Sequence, residues 1–469
     1  MKHSRSRRIF CNRTLNLRSI EAIGYDMDYT LVHYNVEAFE RHAYEHIKKR
    51  LLQYGWPVAH LKFDPRAMIR GLFIDSRLGN IVKANRFGFV KVADHGTRRM
   101  DYEEQRRVYQ RTIIDLADKR FSLLNTFFTL SEGCLYAQLV DLFDRGKLPG
   151  AGSYADIHER VRSHTDAAYL EGELKPAILA DPEEFIVSDP EAPLALLDQI
   201  HSGKKLMLIT NSDWNYTDFI LTYAFEPHLP DGMKWRELFS PIIVSSDKPS
   251  FFSGSNKLYE IVDEKASLLK PAIRGLRQGG IFQGGNSKHV ETFLGLSGDQ
   301  ILYVGDHIVG DVQITKDILR WRTALIVREL EEELSALDAF ATKRRRLSGL
   351  IEAKEAAESE LSRLRLQLQR RKDGYGPRAG DLRDAGSRMS RLRARAGSLD
   401  RAIEPLTREM NALHNRRWGL LMRAGNDKSY LARMVEQYAD IYMSRVSNMA
   451  HQTPFVYLRS TFVTMPHDE

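Results

Sequence analysis

Apolar positions along the chain follow two different periods. Short continuous runs end in polar residues in "IEAIGYD" (20–26), "KKLMLITNSD" (204–213), "SPIIVSSDKP" (240–249) and "ILYVGDHIVGD" (301–311). A fifth run, "WRTALIV" (321–327), follows a helical stretch. Continuous apolar strands separated by helical patterns predict a parallel sheet covered on both faces. In such open α/β sheets, ligands gather at the carboxyl ends of the strands. Asp26, Thr210, Lys248 and Asp306 all fall there.

About 175 residues separate the first two runs, far more than one crossover helix requires. The expected architecture is therefore α/β, with a Rossmann-like parallel sheet core and an inserted cap domain. The core comprises 1–60 with 186–330, and the cap spans 61–185. The cap is predicted to be mainly helical, through "YEEQRRVYQRTIIDLADKR" and "GCLYAQLVDLFDRG".

From 331 to 415 the period changes. Leu382, Ala385, Met389, Leu392, Ala396, Leu399, Ile403, Leu406, Met410 and Leu413 alternate steps of three and four, a heptad seam. Leu347, Leu350, Ala357, Leu361, Leu364 and Leu368 repeat it more loosely, with Lys354 at one core position. Between them "RRKDGYGPRAGD" holds three glycines and a proline, which predicts a turn and an antiparallel helical coiled-coil hairpin. Residues 416–469 read as a helical segment packing on the core.

Charge sharpens this division. The formal net charge is +7, yet residues 341–401 hold 17 Lys+Arg against 8 Asp+Glu, leaving 7 − 9 = −2 for the rest. Basicity belongs to the hairpin, where Tyr375 is the only aromatic between 341 and 417, so nucleic acid is not an expected partner. A solvated exterior or a subunit interface is the expected role, which points to a homo-oligomer, dimer or tetramer. Two cysteines, Cys11 and Cys134, provide no disulfide framework, and no apolar run has the length of a membrane span. The basic N-terminus lacks the apolar core of a secretory signal, and a cytoplasmic protein is expected.

The chemistry lies at the strand ends. Asp26 and Asp28, in "GYDMDYT", stand two positions apart with one residue between them, an arrangement that like charges resist unless a cation joins them. Mg²⁺ takes hard oxygen ligands and leaves room for a phosphate, and Asp306 and Asp311 in "GDHIVGD" are natural further acids. Thr210 and Asn211 offer a hydroxyl and an amide to phosphate oxygens, and Lys248 offers a compact positive charge. Together these parts suit phosphoryl transfer, which asks mainly for positioning and charge neutralisation. Blander readings stand beside these. Asn211 or Ser212 can cap the following helix, Asp311 can favour a helix N-terminus, and His307 fits a structural hydrogen bond.

These strings carry a resemblance. "DMDYT", "ITNSD", "SDKPSFF" and "GDHIVGD" resemble the four motifs of the haloacid dehalogenase superfamily. The longer "RIFCNRTLNLRSIEAIGYDMDYTLVHYN" and "FVYLRSTFVTMPHD" resemble its cytosolic purine (IMP/GMP-preferring) 5′-nucleotidase branch. The resemblance implies a Mg²⁺-dependent 5′-nucleotidase with Asp26 as nucleophile and Asp28 as general acid and base. The metal would be held by Asp26, the Asp28 backbone carbonyl and Asp306, with Asp311 in support. Thr210, Asn211 and Ser212 would bind phosphate, and Lys248 would stabilise the phosphoryl charge. In the cap, Phe128 would stack on the base, and Arg162, Asp166 and Lys175 would read it, or else form a solvated helical face. Nucleoside phosphotransfer is a related outcome. Hydrolysis of another small phosphoester, or a non-catalytic scaffold built on the basic hairpin, are the alternatives.

Overall fold

The computed structural model describes residues 4–170, 174–377 and 382–461; at the end of the helix Tyr154–Leu170 the side chains of 166 and 168–170 lie outside the description. The described residues form two compact units, Glu332–Leu420 and the residues on either side of it.

In the larger unit, ten strands make the main sheet: β1 (Phe10–Cys11), β2 (Ala22–Tyr25), β3 (Lys205–Ile209), β4 (Ile242–Val244), β5 (Leu258–Asp263), β6 (Leu268–Pro271), β7 (Ile281–Gly284), β8 (Ile301–Gly305), β9 (Arg322–Ile326) and β10 (Ile441–Met443). Their spatial order is β1-β10-β9-β8-β2-β3-β4-β7-β5-β6. From β10 across to β7 all neighbours run parallel, while β1 and the β5-β6 hairpin add antiparallel edges. The five predicted strands thus lie together, with β2 between β3 and β8. One apolar layer of the core joins Met207, Ile209, Ile243, Phe252, Phe282, Tyr303 and Trp321, all buried. Each large side chain of that kind stabilises the fold by about 1.5–3 kcal/mol.

The C-terminal segment departs from the helical expectation. The helix Tyr430–Tyr438 stops, and β10 pairs in parallel with β9. Asp440 explains the switch. Its buried carboxylate accepts from Arg13, Lys316, Arg322 and the Thr323 amide, which pins the chain against β9 before the helix can continue. Tertiary ion pairing overrides the local period.

The insertion between β2 and β3 also departs from a mainly helical reading. It holds a five-stranded antiparallel sheet ordered Arg98–Arg99, Val90–His95, Asn80–Ala84, Leu72–Asp75, Phe121–Leu124. The helix expected over 102–120 covers only Tyr102–Tyr109. Arg120 then donates twice to buried Asp75, at 2.7 and 2.7 Å, and draws the following residues into an edge strand. Helices Leu130–Asp144, Tyr154–Leu170 and Leu174–Ala180 follow, the first of them as the period predicts.

The smaller unit contains the helices Ala341–Asp373 and Ala385–Asn411. Lys343 pairs with Glu409, Lys354 with Asp400 and Arg388 with Glu360, so the helices run antiparallel. Ala357, Leu361, Leu364, Leu382, Ala385 and Leu392 form the buried seam. Among the described residues, no helix is long and apolar enough to cross a membrane.

Candidate active site

The site is built where β2 ends. The Asp26 amide donates to Val304 O at 2.9 Å, extending the β2–β8 ladder one residue beyond the strand. The chain then turns sharply, with the amides of Thr30, Leu31 and Val32 all converging on Met27 O at 3.2, 2.9 and 3.0 Å. Tyr29 lies in the left-handed region at φ 55°, as do Ser245 at 42° and Asp247 at 59° in the loop before Lys248. Such backbone costs roughly 1–2 kcal/mol per residue for a side chain with a Cβ, and it clusters where function fixes geometry.

Lys248 reaches back under these turns. Its Nζ lies 2.8 Å from Asp26 Oδ1 and 2.9 Å from Asp311 Oδ1, and its side chain is 5% exposed. It also donates to Tyr303 OH at 3.1 Å, and that hydroxyl donates to Ile209 O at 3.1 Å. Two close approaches make this possible. A Cβ on Gly24 would come within 2.8 Å of the Tyr303 ring, and a Cβ on Gly305 within 2.5 Å of Asp311 Oδ2. The sequence thus clears space for the lysine's two anchors.

Asp26, Asp306 and Asp311 bring carboxylate oxygens within 4.8 Å of one another. Asp306 Oδ2 is buried with no hydrogen-bond partner. Three acids against one lysine leave excess negative charge in a dry place. Burial pushes the Asp26 carboxyl up to about 7, Lys248 opposing and Asp311 adding to the rise. Burial, then repulsion from Asp311 and Asp26, drives Asp306 well above the usual carboxylate range. Burial alone would lower the Lys248 ammonium, but Asp26 and Asp311 outweigh it and hold the lysine charged. A divalent cation is what this donor set fits: all ligands are oxygens, and one buried oxygen lacks a partner. His307 keeps the structural role expected of it, accepting from the Gly310 amide at 2.7 Å.

Asp28 points elsewhere. Its Oδ1 accepts from Tyr34 OH at 2.5 Å and its Oδ2 from Ser212 Oγ at 2.7 Å. Burial raises its carboxyl above the usual range, and these two donors pull it back. Thr210 is fully buried; its amide donates to Ile243 O and its hydroxyl accepts from the Ser212 amide at 3.1 Å. Asn211 is bound to the lysine's own peptide, accepting from Lys248 N at 2.6 Å and donating to Lys248 O at 3.0 Å. The cap of the helix Trp214–Phe225 is Asp213, which also holds Lys175 Nζ at 2.7 Å.

The remaining residues predicted for base recognition are spread more widely. Phe128 is edge-on to Tyr29 at 5.0 Å and tilted against Phe39 at 5.4 Å, so it touches the loop that carries Asp28. Arg162 is exposed, its guanidinium 3.5 Å from Ser122 Oγ. The Asp166 side chain lies outside the described residues. Sequence reasoning missed Tyr34, Tyr216, Tyr303 and Arg70. Arg70 donates to the Asp306 carbonyl at 3.3 Å while pairing with Glu329.

The model of the 5′ nucleotidase family matches residues 9–469. The chain belongs to the 5′ nucleotidase family. Like the family's namesake reaction, its chemistry is that of a phosphoric monoester hydrolase. This 5′ nucleotidase family member is 27% identical over 460 residues to the human "5′-nucleotidase domain-containing protein 2", covering 94% of this chain and 81% of the relative. Among solved structures, an archaeal β-phosphoglucomutase from Pyrococcus sp. strain ST 04 shows 12% identity and a TM-score of 0.31, covering 66% of this chain and 86% of the other. A haloacid dehalogenase-like hydrolase from Xanthomonas campestris shows 13% identity and a TM-score of 0.25, covering 66% and 82%.

Proposed function

We propose that this protein hydrolyses purine nucleoside 5′-monophosphates, IMP and GMP foremost, with Mg²⁺ and through an aspartyl-phosphate on Asp26. The observation that carries the reading is the convergence of Asp26, Lys248 and the Asp306/Asp311 pair from three separate chain segments onto one buried cluster. Asp26, Asp306 and the Asp28 carbonyl would hold the metal, with Asp311 behind them. When bound, Mg²⁺ supplies positive charge to the phosphoryl oxygens.

The chain's own residues then divide the work. Asp26 Oδ attacks phosphorus, and the bond from phosphorus to the nucleoside 5′-oxygen breaks. Asp28, turned away from the acid cluster, gives that oxygen its proton and later takes one from the attacking water. Water attack on phosphorus releases phosphate and restores the Asp26 carboxylate. Lys248 offsets charge on the phosphoryl group, beside Thr210, Asn211 and Ser212. A nucleoside hydroxyl in place of that water gives phosphotransfer.

The insertion 61–185 serves as the recognition cap in this reading, with Phe128, Arg162, Asp166 and Lys175 on the base. Two contacts support it: Phe128 against Tyr29, and Lys175 bonded to Asp213 beside the phosphate loop. A homo-oligomer completes the proposal, in a cytoplasm whose reducing character suits the two free thiols, Cys11 and Cys134. The test is a panel of nucleotides and sugar phosphates, with Mg²⁺ or with EDTA. Phosphate release from IMP or GMP that EDTA stops is the expected result. Release confined to another phosphoester overturns the substrate assignment, and release from none overturns the whole reading.

A further inference from the structure

We infer that Tyr34 is a positioning residue for Asp28, held in turn by Tyr216, and that its hydroxyl governs how well the site expels a basic leaving group. The inference rests on the function proposed above but goes beyond it, since neither tyrosine lies in the four short motifs or has a role in that reading. Tyr34 sits on the short strand His33–Tyr34, paired antiparallel with Ile186–Val187, and is 4% exposed. Its ring is fixed edge-on against Tyr29 at 5.1 Å and tilted on Phe39 at 5.2 Å.

The hydrogen bonds settle their own direction. Tyr34 has one hydroxyl proton, directed to Asp28 Oδ1 at 2.5 Å, so the 3.1 Å contact between the two tyrosine hydroxyls has Tyr216 as donor. With Ser212 on Oδ2 at 2.7 Å, both Asp28 oxygens are tethered and the side chain's rotation is blocked. The consequence is spatial. Asp28 lies two residues from Asp26, yet its carboxylate is absent from the cluster that Asp26 forms with Asp306 and Asp311. Without the tyrosine tether, one oxygen is free to turn toward that cluster and toward Lys248. Asp28 would then be displaced from the leaving-group oxygen.

Such a displacement matters only where a proton is needed. A nucleoside leaves as a basic alkoxide and requires it; p-nitrophenolate leaves without help. The ratio kcat/KM reads events up to departure of the leaving group, and so separates this step from the later attack of water, which is common to both esters. In Tyr34→Phe, kcat/KM for a nucleoside monophosphate should fall about 30-fold, within the range that a misplaced general acid forfeits. For p-nitrophenyl phosphate the fall should stay below about threefold. Equal losses on both esters, or no loss on the nucleotide, would overturn the inference.

Folding of Tyr34→Phe is checked by circular dichroism and melting. If it does not fold, Tyr216→Phe carries the test. It should show the same selectivity at about 3- to 10-fold, and equal effects on both esters overturn the inference there too. A wild-type enzyme that hydrolyses neither ester sinks the functional reading and this inference with it. A wild type active on both, with variants that do not discriminate, sinks the inference alone.

Discussion

Lys248→Met removes one charge and keeps most of the stem, which makes it a clean probe of the acid cluster. The lysine contacts Asp26 and Asp311 at 2.8 and 2.9 Å with a side chain only 5% exposed. Losing one partner of a buried ion pair typically costs about 3–5 kcal/mol. The variant should therefore lose about 4 kcal/mol in metal-free buffer. For a chain of 469 residues melting as one unit, the unfolding entropy is about 1 kcal/mol/K, and the expected drop in Tm is about 4 °C.

The sign with pH follows from the same carboxyls. With Lys248 gone, Asp26 and Asp306 hold folded values further above their unfolded value than before. The folded state then binds more protons than the unfolded state, so stability falls as pH rises from about 4 through the folded value. The deficit should therefore be small near pH 4.5 and large at pH 8. Mg²⁺ should narrow it, because a dication replaces the missing charge. Differential scanning fluorimetry at pH 4.5, 6 and 8, with and without Mg²⁺, measures all of this. A deficit that is independent of pH, or that grows as pH falls, or that ignores Mg²⁺, would refute the electrostatic reasoning.

Asp306→Asn should raise Tm in EDTA, since it removes a buried unpaired charge, and should abolish both activity and the Tm gain from Mg²⁺; scanning fluorimetry with a phosphate assay checks both. Gly305→Ala places a Cβ 2.5 Å from Asp311 Oδ2, so it should cost about 1–3 kcal/mol in denaturant unfolding and lower kcat at least tenfold. Phe128→Ala should raise KM for nucleotides roughly tenfold while leaving that for p-nitrophenyl phosphate within twofold, as steady-state kinetics would show.

What the sequence made legible lies at strand ends. Asp26, Lys248, Asp306 and Asp311 follow continuous apolar runs, and a parallel sheet brings the ends of such runs together whatever lies between them. The second sheet was harder to see because its strands are short and two-sided. Gly79, Gly88 and Gly96, all at positive φ between apolar stretches, were its turn signals. β10 was hidden because the buried charge on Asp440 outcompetes a helical period that continues past Tyr438. Tyr34, Tyr216 and Tyr303 read as core aromatics, and only their hydroxyl partners reveal another use. Ser212 offered itself for phosphate, yet its hydroxyl goes to Asp28, 184 positions away, a pairing no local pattern encodes.

The central claim is that Asp26 itself carries the phosphoryl group. Turnover of IMP quenched by acid, then reduction with borohydride, converts an aspartyl-phosphate to homoserine that peptide mapping can locate. Homoserine at position 26, absent when substrate is withheld, is the predicted result. Homoserine at 28 or 306, or none at all under rapid turnover, would contradict it.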